Sequence, residues 1–209
     1  MRQGRTTRTA ATPRRLLALL GLALATAVGV AMPAGAVERA YYFERASTDD
    51  ALAQNTVNAI LQDRAGYIWI ATQGGLHRHD GYGFVLFQRD PENPRSLPDN
   101  FVTALALDEA GKLWVGTDGA GVARYDTDGN QFIAIPPASA KHGPGKQAPV
   151  NALQFQAGRG LWIADGNGIT LLDADETRRT PVALDGAADE AVTARRFAVD
   201  AGGTLWIAT

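Results

Sequence analysis

The stretch "DTDGN" at Asp126–Asn130 sets oxygen-bearing side chains at alternate positions, as the opening of a calcium-binding loop does. Such a loop needs a glycine at its sixth position and a bidentate glutamate at its end. Gln131 and Pro137 stand there instead, so the stretch reads as a turn and no metal is implied. His77 and His79 share one face of a strand, a spacing that suits a two-histidine metal site. Aligned with the neighbouring repeats, however, they fall where Ala123 and Tyr125, or Thr170 and Leu172, occur, and packing residues are the expectation. His142 is isolated in a loop. The motifs H-E-x-x-H, G-x-S-x-G and G-x-x-x-x-G-K are all missing, and there is no cysteine for thiol chemistry or disulfides. No catalytic residue and no cofactor is implied. What remains is hydrogen bonding. "TQGG", "TDGAG" and "DGNG" present Gln73, Asp118 and Asp165, while Asn55 and Asn100 precede two strands. These five residues are the candidates for binding a polar ligand.

The elements that must position them follow from the tryptophans. Trp69, Trp114, Trp162 and Trp206 are spaced 45, 48 and 44 residues apart. A period of roughly 40 to 50 residues suits one four-stranded propeller blade. Around each tryptophan the chain is rich in Val, Ile, Thr and Gly and poor in helix-period runs, which argues for strands. "TVNAILQD" and "FVTALALD" end in Asp63 and Asp108, whose carboxylates can accept turn N–H groups. Gly66 and Gly111 come three residues later, where a tight hairpin needs positive φ. Trp69 and Trp114 follow three further on as anchors between sheets; two residues beyond each tryptophan stands Ala71, Gly116, Ala164 or Ala208, small enough for close packing. Asp200 opens a fourth copy, and Gln156 with Arg159 replaces Asp and Gly in the third, whose hairpin should differ.

The expected fold is therefore all-β, a β-propeller of four-stranded antiparallel blades with about three and a half blades present. The blades fall at 56–90, 101–136 and 149–184, with a partial one at 191–209. A closed ring takes roughly four to eight blades, so the reading is of an incomplete propeller that would self-associate, a dimer included, without further sequence. The strand around "YYFE" at Tyr41 would belong to a closing blade. The Asp63 and Asp108 hairpins lie at one end of the sheets. Gln73, Asp118 and Asp165 lie at the other, beside the connections holding Asn55, Asn100 and Pro136–Pro149.

Residues 1–36 read as a secretory signal: Arg2, Arg5, Arg8, Arg14 and Arg15, then an apolar run from Leu16 to Ala31, then the small triplet Ala34-Gly35-Ala36. Cleavage before Val37 would place residues 37–209 in the periplasm. Five of the 20 basic residues leave with the leader, so the mature chain carries −7 rather than −2. That charge speaks against nucleic acid as a partner.

The pattern D-x-x-G-x-[IL]-W-[IV]-[AG]-T followed by G-[LV]-x-R-[HY]-D resembles the two-component regulator propeller repeat. It runs through Asp63, Gly66, Trp69, Ala71, Thr72, Gly75, Leu76, Arg78 and Asp80, then through Asp108, Gly111, Trp114, Gly116, Thr117, Gly121, Val122, Arg124 and Asp126. The third unit keeps Trp162, Gly168 and Asp173, and "SLPDNFV" from Ser96, with "ALAQNTV" from Ala51 as a weaker copy, resembles the family's lead-in. The resemblance implies the N-terminal part of a periplasmic sensor propeller that reads a small polar ligand, carbohydrates among the candidates. Its membrane-anchored output domain, a histidine kinase or diguanylate cyclase, would lie outside this sequence. A streptogramin-lyase-like propeller and a non-sensory interaction scaffold are the alternatives. Sialidase aspartate boxes are one residue shorter between Asp and Trp.

Overall fold

The computed structural model describes residues 52–137, 147–184 and 194–209. The expected leader, the Tyr41 strand and His142 lie outside these residues. Every described element is a strand. The first sheet is β1 (Val57–Gln62), β2 (Ile68–Thr72), β3 (Gly75–His79) and β4 (Phe84–Phe87). The second is β5 (Val102–Leu107), β6 (Leu113–Thr117), β7 (Val122–Asp126) and β8 (Gln131–Ala134). The third is β9 (Val150–Gln156), β10 (Gly160–Asp165), β11 (Gly168–Asp173) and β12 (Arg179–Val182). A pair, β13 (Arg196–Val199) and β14 (Leu205–Ala208), completes the described elements. Within each sheet the strands pair antiparallel in chain order, the up-and-down pattern of propeller blades. The three full sheets and the pair do not close into a ring, and the fold is an incomplete β-propeller.

Strands β1, β5, β9 and β13 pack successively against one another and form the inner edge around the axis. β12 contains Pro181, tolerable because it pairs only with β11 and its outer side needs no N–H donor.

The core lies between the sheets. Trp69, Leu76 and Phe87 of the first pack on Val102, Val115, Tyr125 and Phe132 of the second. Trp114 and Val122 pack likewise on Val150, Leu161 and Ile163. Trp162, Ala164 and Ile169 pack toward Phe197, Leu205 and Ile207. Each tryptophan thus anchors its own blade to the next one, and Trp69, Trp114 and Trp162 are buried. Burial of one such indole contributes about 4 to 6 kcal/mol before entropy is counted. Trp206, on the pair, is 62% exposed. Gly116 shows why the residue two after tryptophan is small: a Cβ there would stand 2.6 Å from Val150 Cγ1.

The lead-in segments belong to the same core. Leu97 of "SLPDNFV" and Leu52 of "ALAQNTV" are both buried, each on the connection that enters a blade. Arg78 lies over the rings of Tyr67, Trp69 and Phe87, with centroids at 4.8, 5.7 and 5.7 Å, and points Nη1 at Tyr125 Oη of the next blade. Arg124 meets Glu176 at 3.0 Å in the third. The repeated arginine is an inter-blade strut.

Candidate functional site

At the hairpin end, the repeated aspartate binds more than turn amides. Asp63 accepts the Ala65 and Tyr67 N–H groups at 3.0 and 2.9 Å through Oδ1, and the Trp69 indole N–H at 2.8 Å through Oδ2. The same indole bond recurs from Trp114 to Asp108 at 3.3 Å and from Trp206 to Asp200 at 3.0 Å. The Trp206 bond and the turn amides hold the Asp200 carboxyl below its ordinary pKa. Gly66, Gly111 and Gly203 have φ near +92°, +83° and +81°. In the third hairpin positive φ moves to Gly158 and Gly160, which frees Arg159 from the left-handed region. Gln156 still accepts the Trp162 indole at 2.8 Å. At this end every unit ties its tryptophan indole to its own hairpin.

At the opposite end, aligning the units on tryptophan separates the sequence candidates. Thr72 and Thr117 cap their turns: each hydroxyl donates to a turn carbonyl, Gly75 at 2.9 Å and Gly121 at 2.8 Å, and accepts a turn N–H. Asp165 takes this threonine place, one residue ahead of Gln73 and Asp118. Its Oδ1 accepts the Asn167 N–H at 2.8 Å and its Oδ2 pairs with Arg179 at 2.7 Å. Asp165 is therefore buried and internally bound, whereas Gln73 and Asp118 are exposed on their turns. Burial lowers the pKa of Arg179, and Asp165 opposes that shift. Asn100 accepts the Arg89 N–H at 2.7 Å and so shapes the connection between blades; Asn55, its counterpart one unit earlier, is exposed.

The other singled-out groups are bound within the fold. Asp126 and Asn130 of "DTDGN" accept from Gln131 Nε2 at 2.9 Å and Tyr125 Oη at 2.6 Å. His77 is fully buried, and its Nε2 accepts the Ala53 N–H at 2.8 Å, docking the lead-in of the first blade. Burial pushes its pKa below the ordinary histidine value, with the Ile70 backbone acting the other way. His79 Nδ1 accepts the Gly81 N–H at 3.2 Å.

The site that sequence reasoning missed lies along the axis. In each of the three full sheets the inner strand slips register at one residue: Val57 pairs with Thr72 but Ala59 with Ala71, Val102 with Thr117 but Ala104 with Gly116, and Val150 with Asp165 but Ala152 with Ala164. The residues left over are Asn58, Thr103 and Asn151. A bulge re-aims its extra side chain, and here all three line one groove of about 140 Å³ between the inner strands. Arg195, eleven residues before Trp206 as the others are before theirs, lines it too. The residue at the eleventh place before tryptophan thus lines the groove in all four units and is polar in each, at the end of the inner strands where Gln73 and Asp118 also lie. Asn58 Nδ2 donates to the Val102 carbonyl at 2.7 Å, which fixes its amide. Thr103 Oγ1 is shut from solvent with no protein partner. The signal in the sequence was a polar residue at the eleventh place before every tryptophan, hidden inside runs that read as plain alternation.

Comparison with known proteins agrees with this architecture. The model of the two component regulator propeller family matches residues 51–74 and 96–119. Histidine kinase P4 of Formosa agariphila is 33% identical over 57 residues, which are 27% of this chain and 4% of that protein. Among solved structures, the extracellular domain of a protein named as a one component system of B. thetaiotaomicron superposes with a TM-score of 0.60 at 20% identity, over 77% of this chain and 21% of that one. Virginiamycin B lyase of Staphylococcus aureus superposes with a TM-score of 0.52 at 14% identity, over 72% of this chain and 48% of the lyase. At these identities the superpositions speak for the fold, and the chain spans only part of each relative. The chain is a β-propeller that carries the two-component regulator propeller repeat.

Proposed function

We propose that this chain is the ligand-reading propeller of an extracytoplasmic receptor, exported by the leader cleaved before Val37, with its output domain elsewhere in a longer protein. The observation that carries this reading is the axial groove, where a bulge in each full sheet turns a polar side chain toward the axis. The repeat match and the similarity to an extracellular domain support it. In this reading Gln73, Asp118 and Asn55 form the rim, and Asn100 and Asp165 hold the rim's loops in place. The ligand is small and polar, with carbohydrates among the candidates. The output is a histidine kinase or diguanylate cyclase.

The proposed role is binding without turnover. The described residues that line the groove include no carboxylate or imidazole to serve as general base. The test is a thermal-shift screen of sugars and small metabolites against the full chain, with product analysis of every compound that binds. A stabilising compound recovered unchanged is the expected result. No stabilisation by any compound, or conversion of the bound one, would count against the reading. N-terminal mass analysis of the exported protein should begin at Val37; a retained Met1 would refute export.

A further inference from the structure

Within that ligand-reading role, and resting on it, we infer that the axial groove takes a hydroxy acid, with Arg195 as partner to the carboxylate. Arg195 and Arg196 are among the residues that line the groove and, among the described residues, no acidic one does, although the whole chain is net negative. Among the described residues, neither Arg195 nor Asn151 has a side-chain hydrogen bond or ion pair; Asn151 stands on β9, and Arg195 immediately precedes the neighbouring inner strand β13. An exposed guanidinium beside a half-buried amide, neither of them engaged among the described residues, is a site for a carboxylate, which arginine can bind through two parallel bonds. A neutral polyol would leave that charge uncompensated.

The hydroxyl preference comes from Asn58. One N–H of its Nδ2 is committed to the Val102 carbonyl, so the amide cannot flip without losing that bond, and Oδ1 is left as an acceptor. An acceptor fixed in this way selects a donor such as a ligand hydroxyl over a second carboxylate. The groove is partly open to solvent and holds about 140 Å³ of space. At about 30 Å³ per water it corresponds to only a few water molecules. That space suits a short hydroxy acid or the hydroxy-acid end of a larger sugar acid.

Calorimetry on the full chain with glycerate and glucuronate, each against its neutral counterpart glycerol or glucose, tests this assignment. At least one acid should bind at least tenfold more tightly than its neutral counterpart, and more weakly as salt is raised. Binding of glycerate would identify the free short acid as sufficient. Binding of glucuronate alone would identify the acid end of a sugar. Arg195→Ala and Asn151→Asp should each weaken the acid at least tenfold, with melting temperatures kept near the wild-type value to show intact folding. Equal binding of acid and neutral forms, failure of both acids to bind, or indifference to Arg195→Ala in a folded variant would overturn the assignment. Binding of glucose independent of Arg195 would do so while leaving the ligand-reading role in place. Failure of the whole screen would remove both.

Discussion

The side-chain amide of Gln156 donates to the Gly203 carbonyl at 2.7 Å, joining the third sheet to the β13–β14 hairpin. Its oxygen at the same time accepts the Trp162 indole. The aspartate found at this place in the other units can do the second job but not the first, since a carboxylate has no donor. Gln156→Asp, although it restores the repeat residue, should therefore lower stability by about 1 kcal/mol. Chemical denaturation of the two proteins measures it; an unchanged midpoint would show the link to Gly203 to be unimportant.

Close packing of successive sheets predicts a coupled pair. Gly116→Ala puts a methyl group against Val150 Cγ1 and should destabilise by about 1 to 3 kcal/mol through overpacking. Val150→Ala should partly rescue it. A double-mutant cycle with no coupling between the two sites would contradict the packing described.

Much of this architecture was legible in the sequence because it depends on local chemistry. An aspartate, a glycine and a tryptophan at fixed offsets specify a hairpin and its anchor, and Asp63, Gly66 and Trp69 do what their types suggest. The indole bond to the aspartate was not foreseen, since it depends on a rotamer rather than on spacing. The bulges at Asn58, Thr103 and Asn151 escaped for another reason. One extra residue in a strand leaves "TVNAILQD" looking like alternation, and only pairing with the next strand reveals the slip. Asp165 looked like a turn residue of the same kind as Asp118, but counting from tryptophan puts it in the place of Thr117.

Asp165 and Arg179 form a buried pair, so removing one partner should cost more than the pair contributes. Asp165→Thr, which restores the turn-capping residue of the first two blades, leaves Arg179 buried without its carboxylate and should destabilise by about 3 kcal/mol. Adding Arg179→Met should recover most of that loss. If the single variant unfolds at the wild-type midpoint, the pair is not closed in solution.

His77 predicts a pH dependence near neutrality. Its folded pKa lies below the unfolded value of about 6.5. Stability from the neutral ring is thus fully present above about pH 6.5 and lost as pH falls through the folded value, because the unfolded chain takes up the proton first. Stability of the wild type should decline on acidification from pH 7, and His77→Gln should remove that part of the slope. Parallel profiles for the two proteins would exclude the effect.

The central claim is that the inner strands, three of them bulged, read the ligand. Hydrogen exchange of the full chain, with and without the compound that most raises its melting temperature, tests this directly. The account predicts new protection at the first residues of β1, β5, β9 and β13, around Asn58, Thr103, Asn151 and Arg195. Protection confined to the Asp63 and Asp108 hairpins, or none at all on a saturated chain, would contradict it.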